Sequence, residues 1–414
     1  MKRVVVTGIG MITAVGNDAN TSFKNIINGE CGIDIIKLFD PSRLSATIAG
    51  EVKNFDPETV MDAKEVKKAD RFIHLGLKAA EEAMADADFK ESDNIDFERF
   101  GISAGSGIGG LPNIEKNSII LETKGPKRIS PFFIPSSLSN MLGGFVSIKY
   151  GLQGPNLACV TACAAGTHSI TEAFKTIILG GADRMMAVSA ESAICEVGIG
   201  GFASMKALST RNEEPKKASR PFDANRDGFI MGEGAACLIL EEYEAAKKRG
   251  AKIYGEIVGI GESGDANHIT SPVVSGPLRA MKAALNMAKE RCGSDFKVDY
   301  VNAHGTSTPA NDKNETEALK TLFNGKENCP PVSSTKGQTG HCLGAAGGIE
   351  AVISLMAMEQ GVLPPTINYE TPDLENGCDL DYIPNKARKT TITTVMSNSF
   401  GFGGTNGVVI FKKI

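Results

Sequence analysis

Cys163 lies in the run Thr161-Ala162-Cys163-Ala164-Ala165-Gly166, between an apolar stretch and a helix-like pattern. No bulky side chain flanks the sulfur, so a large partner can come close to it. A strand-to-helix turn here puts it at a helix N-terminus, where unpaired N–H groups and the dipole favour a thiolate. A thiolate can carry an acyl group as a thioester. A lone cysteine is more often a small core residue, so the chemistry depends on its company. The chain has five histidines: His74, His168, His268, His304 and His341. His304 ends an apolar strand pattern and opens the hydroxyl-rich turn Gly305-Thr306-Ser307-Thr308. His341 precedes the small residues Leu343-Gly344-Ala345-Ala346-Gly347-Gly348, which read as a helix start. Each alone reads equally well as a structural histidine. Together with Cys163 they supply a nucleophile and two groups able to donate to a developing oxyanion. A fourth segment, 397–407, is dense in glycine and carries Phe400 and Phe402. Its backbone can fold tightly and offer N–H groups; the plainer reading is a hairpin turn.

Positioning these groups requires an α/β framework, since short β-branched runs alternate with longer helical patterns. Strands are predicted at 3–7, 100–103, 184–189, 236–240, 253–259, 300–303 and 393–397. Helices are predicted at 69–86, 164–179, 241–248, 277–289, 311–323 and 345–360. A charged stretch ending in Gly250 divides the chain into an N-terminal half, 1–250, with the nucleophile, and a C-terminal half, 251–414, with both histidines. The halves echo each other faintly, Val4-Val5-Val6-Thr7-Gly8-Ile9-Gly10 against Glu256-Ile257-Val258-Gly259-Ile260-Gly261. Gly8-Ile9-Gly10 has Thr13 where a dinucleotide motif needs its third glycine. Gly105-Ser106-Gly107-Ile108-Gly109-Gly110 completes that spacing, but Pro112 follows and no helix is expected to open there, so both read as tight turns. Asp223–Gly228 opens like a calcium loop, yet the closing position is Gly234 and Glu233 falls one place early, which favours a hydrogen-bonded turn. Cys159 and Cys163 are four apart with no second pair to complete a metal site.

At 414 residues, 42% apolar and 22% charged, the chain can bury a large core in two domains or two fused halves. Nine scattered cysteines without a Cys-x-x-Cys argue against a disulfide framework and a zinc ribbon, and for a reducing, cytoplasmic setting. No stretch approaches the roughly 18 apolar residues of a membrane span, so no membrane partner is expected. A net charge of −5 makes nucleic acid an unexpected partner.

Cys163 in Thr-Ala-Cys-Ala-Ala-Gly, His304 in Ala-His-Gly-Thr-Ser-Thr, His341 in Gly-His-Cys-Leu-Gly-Ala-Ala-Gly, and the Phe-Gly-Phe-Gly-Gly-Thr-Asn loop together resemble the β-ketoacyl-[acyl carrier protein] synthases, most of all their elongating, type II members. The resemblance runs from Val4 to the C-terminus. It implies the thiolase-like fold, two similar halves in five α-β-α-β-α layers, and a homodimer. It implies that Cys163 takes an acyl chain from acyl carrier protein. The N–H groups of Cys163 and Phe400 would form the oxyanion hole, and His304 and His341 would stabilise the enolate left when malonyl-carrier protein loses CO₂. Lys336 would tune the site, Glu315 would order its surroundings, and Phe400 would gate it. Thr306 and Thr308, with Thr270 a weaker candidate, would bind the pantetheine arm, and Ile108 and Phe202 would line the acyl pocket. No metal or organic cofactor enters the chemistry, although some relatives hold a structural monovalent cation near positions matching Asn302, Glu350 and Asn398. The chain departs from the family pattern at Gln338, where Met is frequent, and at Asn311, where Gly is common.

The carrier protein is acidic, so an acidic enzyme needs a local basic face. Lys67, Lys68, Lys127, Arg128 and Lys206 are the docking candidates, and Lys64, Lys67, Lys68 and Arg71 have the spacing of one helical face. A solvated charged face is the plainer account. Cys163 and His304 are 141 positions apart, inside the range of papain-like proteases, but the signature around the cysteine is missing and the chain has no Trp. Thiolases use a second late Cys, initiating synthases have Asn for the second His, and non-catalytic chain-length partners lack the active Cys. This chain has Cys163 and both histidines.

Overall fold

The computed structural model describes residues 2–414. Its central strands are β1 (Val4–Ile12), β2 (Phe100–Gly105), β3 (Asn156–Cys159), β4 (Arg184–Glu191), β5 (Gly234–Glu242), β6 (Gly255–Gly264), β7 (Tyr300–Asn302), β8 (Val332–Ser333), β9 (Thr394–Gly401) and β10 (Thr405–Lys412). They are hydrogen-bonded in the order β8-β7-β9-β10-β6-β1-β5-β4-β2-β3. Reading outward from β1, two antiparallel pairings are followed by two parallel ones. Outward from β6 the same series recurs. The two five-stranded units are joined in one sheet where Val5 and Val6 of β1 pair with Glu256 and Gly255 of β6.

The main helices are α1 (Arg71–Ala87), α2 (Leu111–Lys124), α3 (Ala165–Ile178), α4 (Ser275–Cys292), α5 (Pro309–Leu322) and α6 (Ala346–Gln360). α1 covers β1, β5 and β4 from outside, and α4 covers β6 and β10. α3 and α6 lie between the units and touch strands of both, which completes five layers. From Ala346 to Met358, α6 is apolar on every side apart from Glu350 and Ser354, as suits a helix packed all round, and every residue there is buried.

Small residues decide how closely these layers approach. A Cβ on Gly10 would stand 2.1 Å from the carbonyl oxygen of Ala79 in α1, and one on Gly261 would stand 1.9 Å from that of Ala280 in α4. The echoed Gly-Ile-Gly sequences are therefore matching notches for the two outer helices, not turns: β1 continues through Gly8 and Gly10, with a bulge between Val6 and Gly8. In the middle layer, a Cβ on Gly166 would come within 2.6 Å of the Gly348 nitrogen. The small residues around Cys163 and after His341 thus serve the α3–α6 contact.

Two further expectations are corrected, and the hydrogen-bonded turn expected at Asp223–Gly228 is met. A helix does open after Gly110: α2 starts at Leu111 with Pro112 in its first turn, where a missing N–H costs nothing. The basic spacing at 64–71 is not one helical face. A short helix ends at Val66, Asp70 caps α1, and Arg71 turns inward to Glu233 at 2.7 Å. The calcium-like loop is held by protein groups: Asp223 accepts from Arg220 at 2.9 Å and from the N–H groups of Asn225, Glu370 and Thr371.

Candidate active site

Both units contribute to one cavity of about 440 Å³, lined by Cys163, His304, His341, Phe400 and Phe402 and reaching solvent past Lys206, Thr270 and Asn311. Cys163 sits on the 3₁₀ turn Ala162–Ala164 that leads directly into α3. His304 follows the end of β7, and His341 follows the short helix Lys336–Thr339. Sγ of Cys163 and one ring nitrogen of each histidine lie within 4.8 Å of one another. The two imidazole rings are edge to face, with centroids 5.3 Å apart.

Burial sets the protonation states. It pushes the Cys163 thiol up to about 12, opposed by the Lys336 charge and by the N–H groups of Phe402 and Cys163 itself. The turn does stand at a helix N-terminus, but desolvation outweighs it, and the resting thiol is protonated at neutral pH. Burial first, then Lys336, holds both histidines well below their usual range, and His341 adds to the effect on His304. Both rings are therefore neutral and can donate N–H without first losing a proton. The Nδ1 atoms of both are buried and make no hydrogen bond to the protein.

Lys336 is fully buried; its Nζ donates to the His304 carbonyl oxygen at 2.6 Å and forms an ion pair with Glu350. Burial raises Glu350 to about 7, against the pull of Lys336. Glu315 accepts from the N–H groups of His304 and Gly305 at 2.9 and 2.8 Å and from Asn398 at 3.1 Å, which fixes the His304 turn. Asn302 Oδ1, Ser397 Oγ and Glu350 Oε2 are buried oxygens with no protein partner, and Asn302 pairs in register with Ser397. This oxygen set suits a hard monovalent cation. Asn302, Glu350 and Asn398, whose Oδ1 is likewise buried without a partner, would hold it.

The expected oxyanion donor needs correction. Phe400 is part of the β9 ladder opposite Asn406, and its buried ring packs against His304 at 5.7 Å. The main-chain donor near the sulfur is Phe402, two residues on. The chain passes Cys163 at Gly401, whose Cβ would lie 3.1 Å from the Cys163 nitrogen. The Phe402 ring is partly exposed at the cavity and tilts over Phe202 at 6.3 Å. Phe402, unlike Phe400, lies outside the ladder with its ring at the cavity wall.

Thr306 and Thr308 line the cavity with their hydroxyl oxygens 2.9 Å apart, and Thr270 lines its mouth. Phe202 lines it too. Ile108 does not; it belongs to the apolar cluster around Cys163, Ile199 and Leu343. Glu191 anchors Ile108 by accepting from the N–H groups of Gly107, Ile108, Gly109 and Gly344. The Gly-x-Gly-x-x-Gly loop therefore cradles a protein carboxylate, where the motif suggested a phosphate. Of the basic candidates, Lys206 lines the mouth, and Lys67, Lys127 and Arg128 are exposed. Lys68 is half-buried, paired with Glu65 at 2.5 Å and lying over the Phe132 ring. Gln338 is buried and donates to the Pro365 carbonyl oxygen, and Asn311 borders the cavity. Sequence reasoning missed Phe229, whose ring meets His341 edge to face at 5.3 Å. Nothing in its local sequence marks it, because only the chain's return past His341 places it there.

Two family models match: the β-ketoacyl synthase N-terminal domain over residues 1–246 and the β-ketoacyl synthase C-terminal domain over 254–370. The 3-oxoacyl-[acyl-carrier-protein] synthase 2 of Coxiella burnetii is 50% identical, with 100% of this chain and 99% of the relative covered. The protein of that name from Vibrio harveyi is 48% identical over 100% and 99%. Among solved structures, a β-ketoacyl synthase from Burkholderia phymatum superposes with a TM-score of 0.92 at 35% identity, covering all of both chains. A type II polyketide ketosynthase in complex with its acyl-carrier protein gives 0.88, also at 35% identity and full coverage. With the fold and the Cys–His–His site in place, the chain belongs to the β-ketoacyl synthase family.

Proposed function

We propose that the protein elongates acyl chains by decarboxylative condensation with malonyl-[acyl carrier protein], and that Cys163, His304 and His341 do the chemistry. The observation that carries this is the convergence of one buried thiol and two neutral imidazoles in a single cavity supplied by both units. Cys163 attacks the acyl thioester while the N–H groups of Cys163 and Phe402 face the developing oxyanion, and the thiol proton leaves on the carrier's thiol. Malonyl-carrier protein then loses CO₂. The electron pair goes to the thioester oxygen, and the N–H groups of His304 and His341 stabilise that enolate. Its carbon attacks the acyl-cysteine, giving a 3-oxoacyl chain two carbons longer, and Cys163 takes up a proton. Lys336 acts through its bond to the His304 carbonyl and by keeping both rings neutral.

Residues 1–250 and 251–414 act as the two halves of this machine; the boundary is supported by the repeated strand series and by the gap between the two family models. The pantetheine arm runs past Thr270, Thr306 and Thr308, and the carrier docks on Lys206 with Lys67, Lys68, Lys127 and Arg128. A homodimer is supported by the edge strand β3, where Leu157 and the neighbouring Val160 and Ile148 are exposed. Turnover of acyl-carrier proteins of graded length with malonyl-carrier protein tests the function. A 3-oxoacyl product two carbons longer supports it, and none at any length refutes it.

A further inference from the structure

We propose that His168 is a positioning residue: it locks the Phe402 hairpin to the nucleophile turn, so that the N–H groups of Cys163 and Phe402 converge on one oxyanion. The proposal rests on the condensing function above. His168 lies on α3, five residues after Cys163, half-buried and outside the cavity. Its Nε2 is 3.2 Å from the carbonyl oxygen of Asn406, which can only accept, so Nε2 carries the proton. Its Nδ1 then accepts from the Thr161 hydroxyl at 2.7 Å. One ring thereby joins the residue two before the nucleophile to the residue four after Phe402. Among the described residues no other histidine bridges the two donor-bearing segments.

The hairpin needs such a brace. Its tip is Gly403-Gly404, with φ of 82° and 69°, and glycine there leaves the backbone free to move. On the far side the tip is tied to the segment 265–269: Asp265 N–H donates to the Gly404 carbonyl at 2.9 Å, and Gly403 N–H to that of Ile269 at 2.7 Å. On the near side, Thr167 and Ser399 share a hydroxyl hydrogen bond at 2.8 Å at the base of the hairpin; nearer the tip, Thr405 Oγ1 donates to the Thr161 carbonyl at 3.0 Å, and His168 supplies the other tie. The fit is built into the sequence. A Cβ on Gly407 would stand 3.0 Å from His168 Cδ2, so glycine at 407 lets the ring lie against β10. Without His168 the tip is held more firmly to 265–269 than to Cys163. The Phe402 N–H would then drift from the sulfur, and a shift of about 1 Å can cost on the order of 100-fold in rate.

His304 and His341 sit on other segments and do not depend on this tie. Loss of His168 should therefore slow acyl transfer to Cys163 and spare decarboxylation. The test compares wild type, His168→Ala, His168→Gln and Thr161→Val. Single-turnover acylation is read by intact mass, and CO₂ release from malonyl-carrier protein is measured without an acyl donor. His168→Ala should slow acylation by at least about tenfold while CO₂ release stays within about twofold. Gln, which offers a donor and an acceptor, should restore most of the rate, and Thr161→Val should show a smaller loss confined to acylation. Unchanged acylation in His168→Ala, or equal loss of both reactions, overturns the proposal. If His168→Ala does not fold, Thr161→Val decides in the same terms. A wild-type protein that performs neither reaction overturns the condensing function instead.

Discussion

At the level of single residues, burial governs the site more than proximity of charge. Cys163 carries a thiol pushed up to about 12, so its alkylation by iodoacetamide should keep rising with pH beyond 9 instead of levelling off as a free thiol does. A plateau near 8 would contradict a protonated resting thiol. The histidines have the opposite sign. Their folded pKa values lie below the ordinary 6.5, so the unfolded chain takes up protons that the folded site refuses. Their contribution to stability is complete above about 6.5 and is lost as the pH falls below it. The thermal midpoint of wild type should fall more between pH 7.5 and 5 than that of His304→Asn; equal falls would remove this account. Lys336→Ala leaves Glu350 buried without its ion pair, and should lower stability by roughly 3–5 kcal/mol in denaturant titration. Cys163, His304 and His341 were legible in the sequence because each lies in a distinctive short run, and Lys336 only through the family resemblance. Phe402 was not separable from Phe400, since the loop holds two phenylalanines two apart, and only the hairpin register shows which one leaves the ladder beside Cys163.

At the level of elements, the catalytic groups are placed by segments whose length and packing are set by glycine. Seven of the strands and five of the long helices were predicted close to where they lie, because their apolar runs are long. β3 and β8 escaped notice because they have only four and two residues, and β10 because its start lies in the glycine-rich run read as a turn. α2 escaped because Pro112 was read as a stop, although proline suits the first turn of a helix. The Gly-Ile-Gly echo was visible, but its cause was not, since a notch depends on the carbonyl of the helix opposite. Gly10→Ala and Gly261→Ala should each destabilise by about 1–3 kcal/mol or more, through the same clash on equivalent outer helices. Two variants as stable as wild type would show that the layers can part at little cost.

At the level of the whole molecule, two units of like topology meet along a short β1–β6 contact and around the α3–α6 pair, and the cavity opens where both supply residues. That convergence of residues 163, 304 and 341 could not be seen along the chain; it follows from the middle helices packing glycine to glycine. The exposed edge of β3 carries the expectation of a dimer. Leu157→Lys should shift the sedimentation coefficient toward that of a monomer, and a wild-type protein that sediments as a monomer would refute the dimer outright. The most direct measurement of the central claim is the intact mass of wild type and Cys163→Ala after incubation with an acyl-carrier thioester. A single acyl adduct on wild type, mapped to Cys163 and absent from Cys163→Ala, is the predicted result. An unmodified wild type, or an adduct that survives the substitution, would contradict it.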